Sequence, residues 1–451
     1  INKDNDCYSA LLYASSNGHF DTVNYLLEFD ADVAARNKDG YSALLLASRN
    51  GYTNVVKLLL DSGADITIKN NMNFNSLALA RAYGYVETIK LLLEYYKLNL
   101  IDKNDDGVNA LMAAGQNGHS DVVTELLQSG VDPSTINNNG ASVLMYASLM
   151  GHIETVSLLL KFNASLISII DYNGRNALMC ASQSGYGEVV AELLLNGANA
   201  RTKDNEGVTA LMLASENGHV DVVKKLLDSG AEILVKTKKG QNALMLASLK
   251  GRTDVVKQLL EFGTDSSTCD NDDWSALLYA SAHGYIDIVQ LILESGADVA
   301  AKNNKNGWNA LHYASENNHI DIVNQLLEFG TDISATSDTG TSALMLASGK
   351  GYVQLVNQLL FNGANIESKT ENGITALMYA IVKGHSEIVA KLLSAGAETT
   401  AQSADGMTVF QLAQAYNHPE VIKVLLNHQS GNDQLINNEK DESIIMKKFE
   451  F

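Results

Sequence analysis

The chain has 451 residues, a formal net charge of −20, two prolines and three cysteines. Such acidity argues against a reader of phosphate backbones, which needs clustered lysine and arginine to release counterions, so no nucleic-acid partner is expected. Cys7, Cys180 and Cys269 lack the paired spacing of a disulfide framework or a zinc site, and no apolar run reaches the ~18 to 20 residues of a bilayer span; a cytoplasmic, reducing setting without membrane insertion is expected.

The sequence enters at Ile1 in the middle of a loop, and the first unit already carries the internal pattern of those that follow, so further repeats or another domain are expected before Ile1. From there one phrase recurs. "SALLLASRNGYTNVVKLLLDSGADI" at 42–66 returns at Thr209 as "TALMLASENGHVDVVKKLLDSGAEI". Equivalent positions are Ala10, Ala43, Ser76, Ala110, Val143, Ala177, Ala210, Ala243, Ala276, Ala310, Ala343, Ala376 and Val409, always 33 or 34 residues apart, which predicts a stacked array of thirteen units. The units span approximately 6–35, 39–68, 72–101, 106–135, 139–168, 173–202, 206–235, 239–268, 272–301, 306–335, 339–368, 372–401 and 405–428.

The third unit, 72–101, departs most from the pattern. Asn73 replaces the loop glycine, Ala78 a large apolar residue and Arg81 a small serine, while Tyr96 stands where glycine or asparagine closes other units. A weak joint is expected there, because repeat arrays draw their stability from each unit and its two neighbours.

The seventh unit is the cleanest copy. Thr209 is suited to cap a short helix over "ALMLAS", and Ser, Thr or Asn fills that place in every unit. After Gly218, "HVDVVKKLLDS" sets Val220, Val222, Val223, Leu226 and Leu227 at helical spacing, predicting a second, amphipathic helix that Gly230 terminates. Two antiparallel helices and a loop therefore repeat. Helices this short are marginal alone, so stacking is compulsory, and small pairs such as Ala214 and Ser215 allow close approach. "SALLYA", "TALMLA", "NALHYA" and "TALMYA" resemble the T-P-L-H-x-A motif of the ankyrin repeat family over about residues 4–428, with alanine in place of proline and histidine kept only at His312. That resemblance implies an all-α solenoid of helix-turn-helix units joined by β-turn or hairpin loops. It also implies that His312 ties adjacent turns by hydrogen bonds where other units have leucine or methionine, and that loop tips and the concave, first-helix face bind proteins.

No catalytic constellation, cofactor motif or metal motif is present, so no enzyme activity and no cofactor are expected. His19, His119, His152, His219, His319, His385 and His418 occur one per unit just after the break between helices, a spacing that suits a capping or inter-helix hydrogen bond and not a convergent metal site. Acidic residues in "HVDVV" and "HIDIV" fall in the first turn of the second helix, where they offset the helix dipole.

The residue before each cap sits at a loop tip. Both tryptophans, Trp274 and Trp308, occupy this position in the ninth and tenth units, and Tyr8, Tyr41 and Phe74 occupy it in the first three. Aromatics are frequent interface anchors. Tyr279 and His283 share a helix face in the ninth unit and Tyr313 follows in the tenth, so Trp274, Trp308, Tyr279, His283 and Tyr313 form the primary candidate protein-binding patch, with Tyr8, Tyr41 and Phe74 as the secondary one. Packing of the tryptophans on a neighbouring loop and a half-buried structural role for the tyrosines are the competing readings.

The last unit introduces Gln411 and Gln414, suited to a solvent-facing cap, and starts its second helix at Pro419. Residues 429–451 lose the period and are expected to form a mobile tail. Two functions follow: a scaffold or adaptor binding one or more proteins along the concave face, or the repeat arm of a larger enzyme, of kinase or ubiquitin-ligase type, whose catalytic domain lies before Ile1.

Overall fold

In the computed structural model, residues 4, 6–96, 103, 104 and 106–436 are described. Among them are 26 α-helices, one short 3-10 helix at Ala164–Ser168, and six isolated antiparallel bridges in place of strands. The chain divides into two compact bodies, Ile1–Lys238 and Lys239–Phe451.

The seventh unit shows why these residues form these elements. Thr209 is extended and its Oγ1 accepts from Met212 N at 3.3 Å, capping the helix Ala210–Asn217. The same bond, from the backbone N–H three residues on, is made by Ser, Thr or Asn at the cap of all thirteen first helices, for example Asn75 to Ala78 N at 2.8 Å and Ser342 to Met345 N at 3.4 Å. Gly218, at φ 83, then turns the chain into the second helix, Val220–Asp228. Leu211, Met212 and Ala214 on the first helix and Val222, Val223 and Leu226 on the second are buried, and this pattern recurs through both bodies. The small residue of the "AS" pair is wholly buried at Ser48, Ser148, Ser215, Ser281 and Ser348, where first helices of adjacent units meet.

Loops between units form fingers. Several carry a side chain that accepts from amides two and four residues ahead, as Asp204 does from Glu206 N at 2.9 Å and Val208 N at 2.8 Å. Neighbouring fingers are joined backbone to backbone, as Asn138 N to Asp106 O at 3.1 Å in the first body and Glu371 N to Thr339 O at 3.0 Å in the second.

Six of the periodic histidines, His19, His119, His152, His219, His319 and His385, stand at the N-cap position without a side-chain cap bond. Instead His152 Nε2 lies 3.0 Å from Gln116 O, His219 Nε2 3.0 Å from Gln183 O and His385 Nε2 3.1 Å from Gly349 O, each a carbonyl of the preceding unit's first helix. The ring rests on the preceding unit's glycine. At Gly185, φ is 82° and an added Cβ would meet His219 Nδ1 at 2.4 Å, so both backbone and space demand glycine.

In the third unit the second helix runs Val86–Tyr96, eleven residues against nine in most others, and Asn73 adopts the left-handed φ of 65° that the missing glycine would take. In the last unit Gln411 and Gln414 are exposed, and the second helix, Pro419–Ile436, covers the start of the segment expected as a tail. The rest of that segment, 437–451, lies outside the described residues.

Candidate functional site

The primary candidate residues lie on one finger and one first helix of each of two adjacent units. In the ninth unit, Asp270 Oδ1 accepts from Asp272 N at 3.0 Å and Trp274 N at 2.8 Å, which holds the indole-bearing turn. Ser275 then caps the helix Ala276–His283, from which Tyr279 returns toward the same finger. The Tyr279 hydroxyl donates to Asp270 Oδ2 at 2.6 Å and accepts from Gln241 Nε2 at 3.1 Å. Burial, with the Asp270 hydrogen bond next, raises the Tyr279 phenol well above its ordinary range, so it is a neutral donor.

The tenth unit repeats the arrangement with an amide. Asn303 Nδ2 donates to the Tyr313 hydroxyl at 2.5 Å, while Asn303 Oδ1 accepts from Trp308 N at 3.2 Å. Tyr313 is only 9% exposed, and burial raises its pKa. Between the units the rings touch in sequence: Tyr279 to Trp274 at 5.0 Å between centroids, Trp274 to Tyr313 at 4.5 Å, and Tyr313 to Trp308 at 5.2 Å edge-on. These separations suit tilted and edge-to-face aromatic contacts. Both indoles are half-buried. Glu316, on the Tyr313 helix, pairs with Lys350 Nζ at 2.6 Å and raises its pKa by hydrogen bonding and by charge.

His283 stands apart from the ring row. It is exposed, its Nδ1 lies 2.9 Å from Tyr279 O, and its ring stacks on Tyr285 at 6.0 Å. Behind Trp308, His312 is fully buried with Nε2 3.0 Å from Thr341 O, the link between adjacent turns implied for it. Burial depresses its pKa to about 4.

The secondary trio does not form a second ring row. Tyr8 packs on Tyr13 of its own unit at 4.8 Å, Tyr41 is 6% exposed beneath the Arg49 guanidinium at 5.5 Å, and Phe74 lines a cleft of the third and fourth units. Arg49 also faces the Tyr83 ring at 5.9 Å.

Sequence reasoning missed the finger residues Asp270, Asn303 and Gln241, which brace the tyrosine hydroxyls. Part of the signal was present: an Asp or Asn stands four residues before the loop-tip position at Asn37, Asn70, Asn104, Asn137, Asp171, Asp204 and Asp270, and Asn303 stands five before Trp308. Among the described residues no group of three or more His, Cys, Asp or Glu could hold a metal ion, and no helix is long and apolar enough to cross a membrane.

Sequence comparison agrees with this architecture. The family "Ankyrin repeats (3 copies)" matches residues 1–70, 77–171, 111–204, 165–237, 211–303, 299–370 and 344–438. The chain belongs to the ankyrin repeat family, whose repeats are generally non-catalytic protein-interaction modules. Among solved structures it is similar to the ankyrin repeat domain of Bcl-3, described as a unique member of the IkappaB protein family, at 27% identity over 49% of this chain and 100% of that one, with a TM-score of 0.45. No curated protein matches the chain.

Proposed function

We propose that the chain is a protein-interaction scaffold whose partner docks on the fingers and first helices of the ninth and tenth units, anchored by Trp274 and Trp308. The observation that carries this reading is the contact row Tyr279–Trp274–Tyr313–Trp308, in which rings from two units support each other. An anchor held in place before binding loses little rotamer freedom on docking, so more of its buried area counts toward affinity. Tyr279 and Tyr313 act as supports, since their hydroxyls are engaged within the fold, while the half-buried indoles supply the surface a partner covers. His283 flanks the row and contributes a hydrogen-bonding edge.

The test begins with capture of a partner by the intact chain, followed by affinity measurements with the purified partner. Trp274→Ala together with Trp308→Ala should abolish capture, while single Trp variants weaken affinity and leave the helices of other units protected from hydrogen exchange. Undiminished affinity in the double variant overturns the proposal.

A further inference from the structure

Ten Asn–Gly pairs punctuate the chain, and in nine of them the glycine amide donates to a backbone carbonyl. At helix ends Gly197 N meets Leu194 O at 3.0 Å and Gly363 N meets Leu360 O at 3.0 Å; in the fingers Gly140 N meets Asn137 O at 3.0 Å and Gly373 N meets Thr370 O at 2.8 Å. The tenth pair is Asn306–Gly307. Among the described residues, the Gly307 N–H has no acceptor. The cause is one added residue: Asn303-Asn304-Lys305-Asn306-Gly307 replaces the shorter Asn137-Asn138-Asn139-Gly140 of the fifth unit. Asn303 N therefore pairs with Trp308 O at 3.0 Å across five residues, where Asn137 N pairs with Ala141 O at 3.0 Å across four.

The Asn306 carboxamide is also turned differently from those at helix ends. There Nδ2 bonds back to the helix, as Asn196 Nδ2 to Glu192 O at 2.8 Å and Asn362 Nδ2 to Gln358 O at 2.8 Å. Asn306 Oδ1 instead accepts from Trp308 N at 3.3 Å, which folds the carboxamide forward over the Gly307 peptide. Glycine has no Cβ to shield its nitrogen, and a Cβ at this position would strike Asp338 Oδ1. An open amide and a carboxamide folded over it therefore coincide at this pair.

We propose that Asn306–Gly307 is a self-modification site, at which the chain converts a carboxamide of the Trp308 finger into a carboxylate. Gly307 N attacks Asn306 Cγ, the Cγ–Nδ2 bond breaks, and ammonia leaves carrying the proton that Gly307 N gave up. A five-membered succinimide results. Water then opens it: attack at Cγ breaks the new bond to Gly307 N and gives an aspartyl residue. Attack at the main-chain carbonyl carbon of Asn306 gives an isoaspartyl residue, with one more methylene in the backbone. Either route consumes one water and releases one ammonia, with no change of oxidation state. The Asn306 side chain hydrogen-bonds to the Tyr313 hydroxyl, so the new charge falls at the ring row, where that hydroxyl must change from acceptor to donor. The longer backbone also draws Trp308 N away from Asn303 Oδ1, its partner at 3.2 Å. Loss of partner affinity as the chain ages is the consequence, and only that consequence rests on the docking reading.

The full chain is incubated in warm, mildly alkaline buffer and digested at intervals, and mass spectrometry measures conversion at each Asn–Gly pair. Asn306 should convert at least about tenfold faster than Asn139 or Asn372, whose glycine amides must first open. In denaturant all ten rates should converge, because the difference lies in the fold. Deletion of Lys305 restores the finger length of the fifth unit and should slow conversion to the rate of Asn139, while Asn306→Gln should end it. Partner affinity of the aged chain, set against the aged Asn306→Gln variant, reads the consequence. If the deletion loosens its unit, the parent chain with and without denaturant carries the test. Conversion at Asn306 no faster than at Asn139 in the folded chain, or undiminished in a folded deletion variant, overturns the proposal. Rapid conversion with unchanged affinity supports the site and counts against the docking reading instead.

Discussion

The loop-tip position is aromatic in two runs of consecutive units, and the two runs are built differently. In the carboxy-terminal body Trp274 and Trp308 are each followed five residues later by a tyrosine, Tyr279 and Tyr313, and ring meets ring across the two units. In the amino-terminal body only Tyr8 has that follower, Tyr13. Tyr41 and Phe74 are followed by Leu46 and Leu79; Tyr41 lies under Arg49 instead, and Phe74 borders the cleft. In the ninth and tenth units the loop-tip aromatic joins a continuous surface because the helix behind it supplies a second ring, whose hydroxyl is bound by Asp270 or Asn303 of the finger.

The largest expected difference between the regions is in pH dependence. Behind Trp308 lies His312, stacked on it at 6.1 Å between centroids, where the first two units have Leu12 and Leu45. Its folded-state pKa of about 4 lies below the ordinary 6.5, so the folded state holds it neutral while the unfolded chain takes a proton. Its contribution is fully present above pH 6.5 and is lost as pH falls through about 4, a change of roughly 3 kcal/mol. Local opening energies of the tenth unit, from hydrogen exchange at several pH values, should therefore fall with acidification in the parent and much less in His312→Met. Equal slopes in the two proteins refute this account.

Next in size is removal of the central ring. Trp274→Ala deletes contacts with both Tyr279 and Tyr313, and truncating an interface anchor commonly costs ~2 kcal/mol or more in binding. Tyr41→Ala in the other run should leave affinity for the same partner unchanged and lower local stability, because Tyr41 is buried. If calorimetry gives equal affinity losses for the two variants, the distinction between the runs fails.

How much of this was legible follows from what is local. Caps and second-helix stripes could be read because each depends on residues within a few turns of one another, the period because the same phrase recurs every 33 or 34 residues, and Thr209, Gly218 and Gly230 act as their types dictate. The histidines were harder. A capping or inter-helix bond was open for His152 and His219, yet the carbonyls they meet belong to the preceding unit, 36 residues away. The candidate patch was legible as a list of residues and not as a structure: nothing in the spacing distinguishes Tyr313, at 9% exposure, from His283, which is exposed. The third unit was legible as a deviation, but only the stacking of its neighbours shows that Ala78, Arg81 and Ala113 border the same space.

A third test addresses the amino-terminal run. The Arg49 guanidinium lies over Tyr41 and Tyr83, and a hydrogen bond that it donates to the Tyr83 hydroxyl is the first cause of its raised pKa. Arg49→Met keeps most of the apolar stem and removes the charge together with the hydrogen bond to Tyr83, so the loss, about 1 to 2 kcal/mol, reports the cation–π contacts and that bond jointly. Hydrogen exchange of the first three units should register it. A loss as large in Arg49→Lys would mean that the planar fork is required and that charge alone is insufficient.

The smallest effect separates two tyrosines that look alike in sequence. Tyr13 and Tyr279 occupy the same helix position, and each hydroxyl donates at 2.6 Å to the finger aspartate of its own unit, Asp4 or Asp270. Their surroundings differ: Tyr13 is exposed, whereas Tyr279 is half-buried, packs on Trp274 and receives a second bond from Gln241. Water replaces a lost partner at an exposed site but not at a desolvated one, so Tyr279→Phe should cost about 0.5 to 1.5 kcal/mol in local stability and Tyr13→Phe nothing measurable. Partner affinity offers a finer reading of the same pair. If the hydroxyl of Tyr279 holds the ring against Trp274, Tyr279→Phe weakens binding through a looser indole, and Gln241→Ala or Asp270→Asn weakens it in the same direction. Should Tyr279→Phe leave both exchange and affinity untouched, ring contact alone positions Trp274 and the finger bond is incidental.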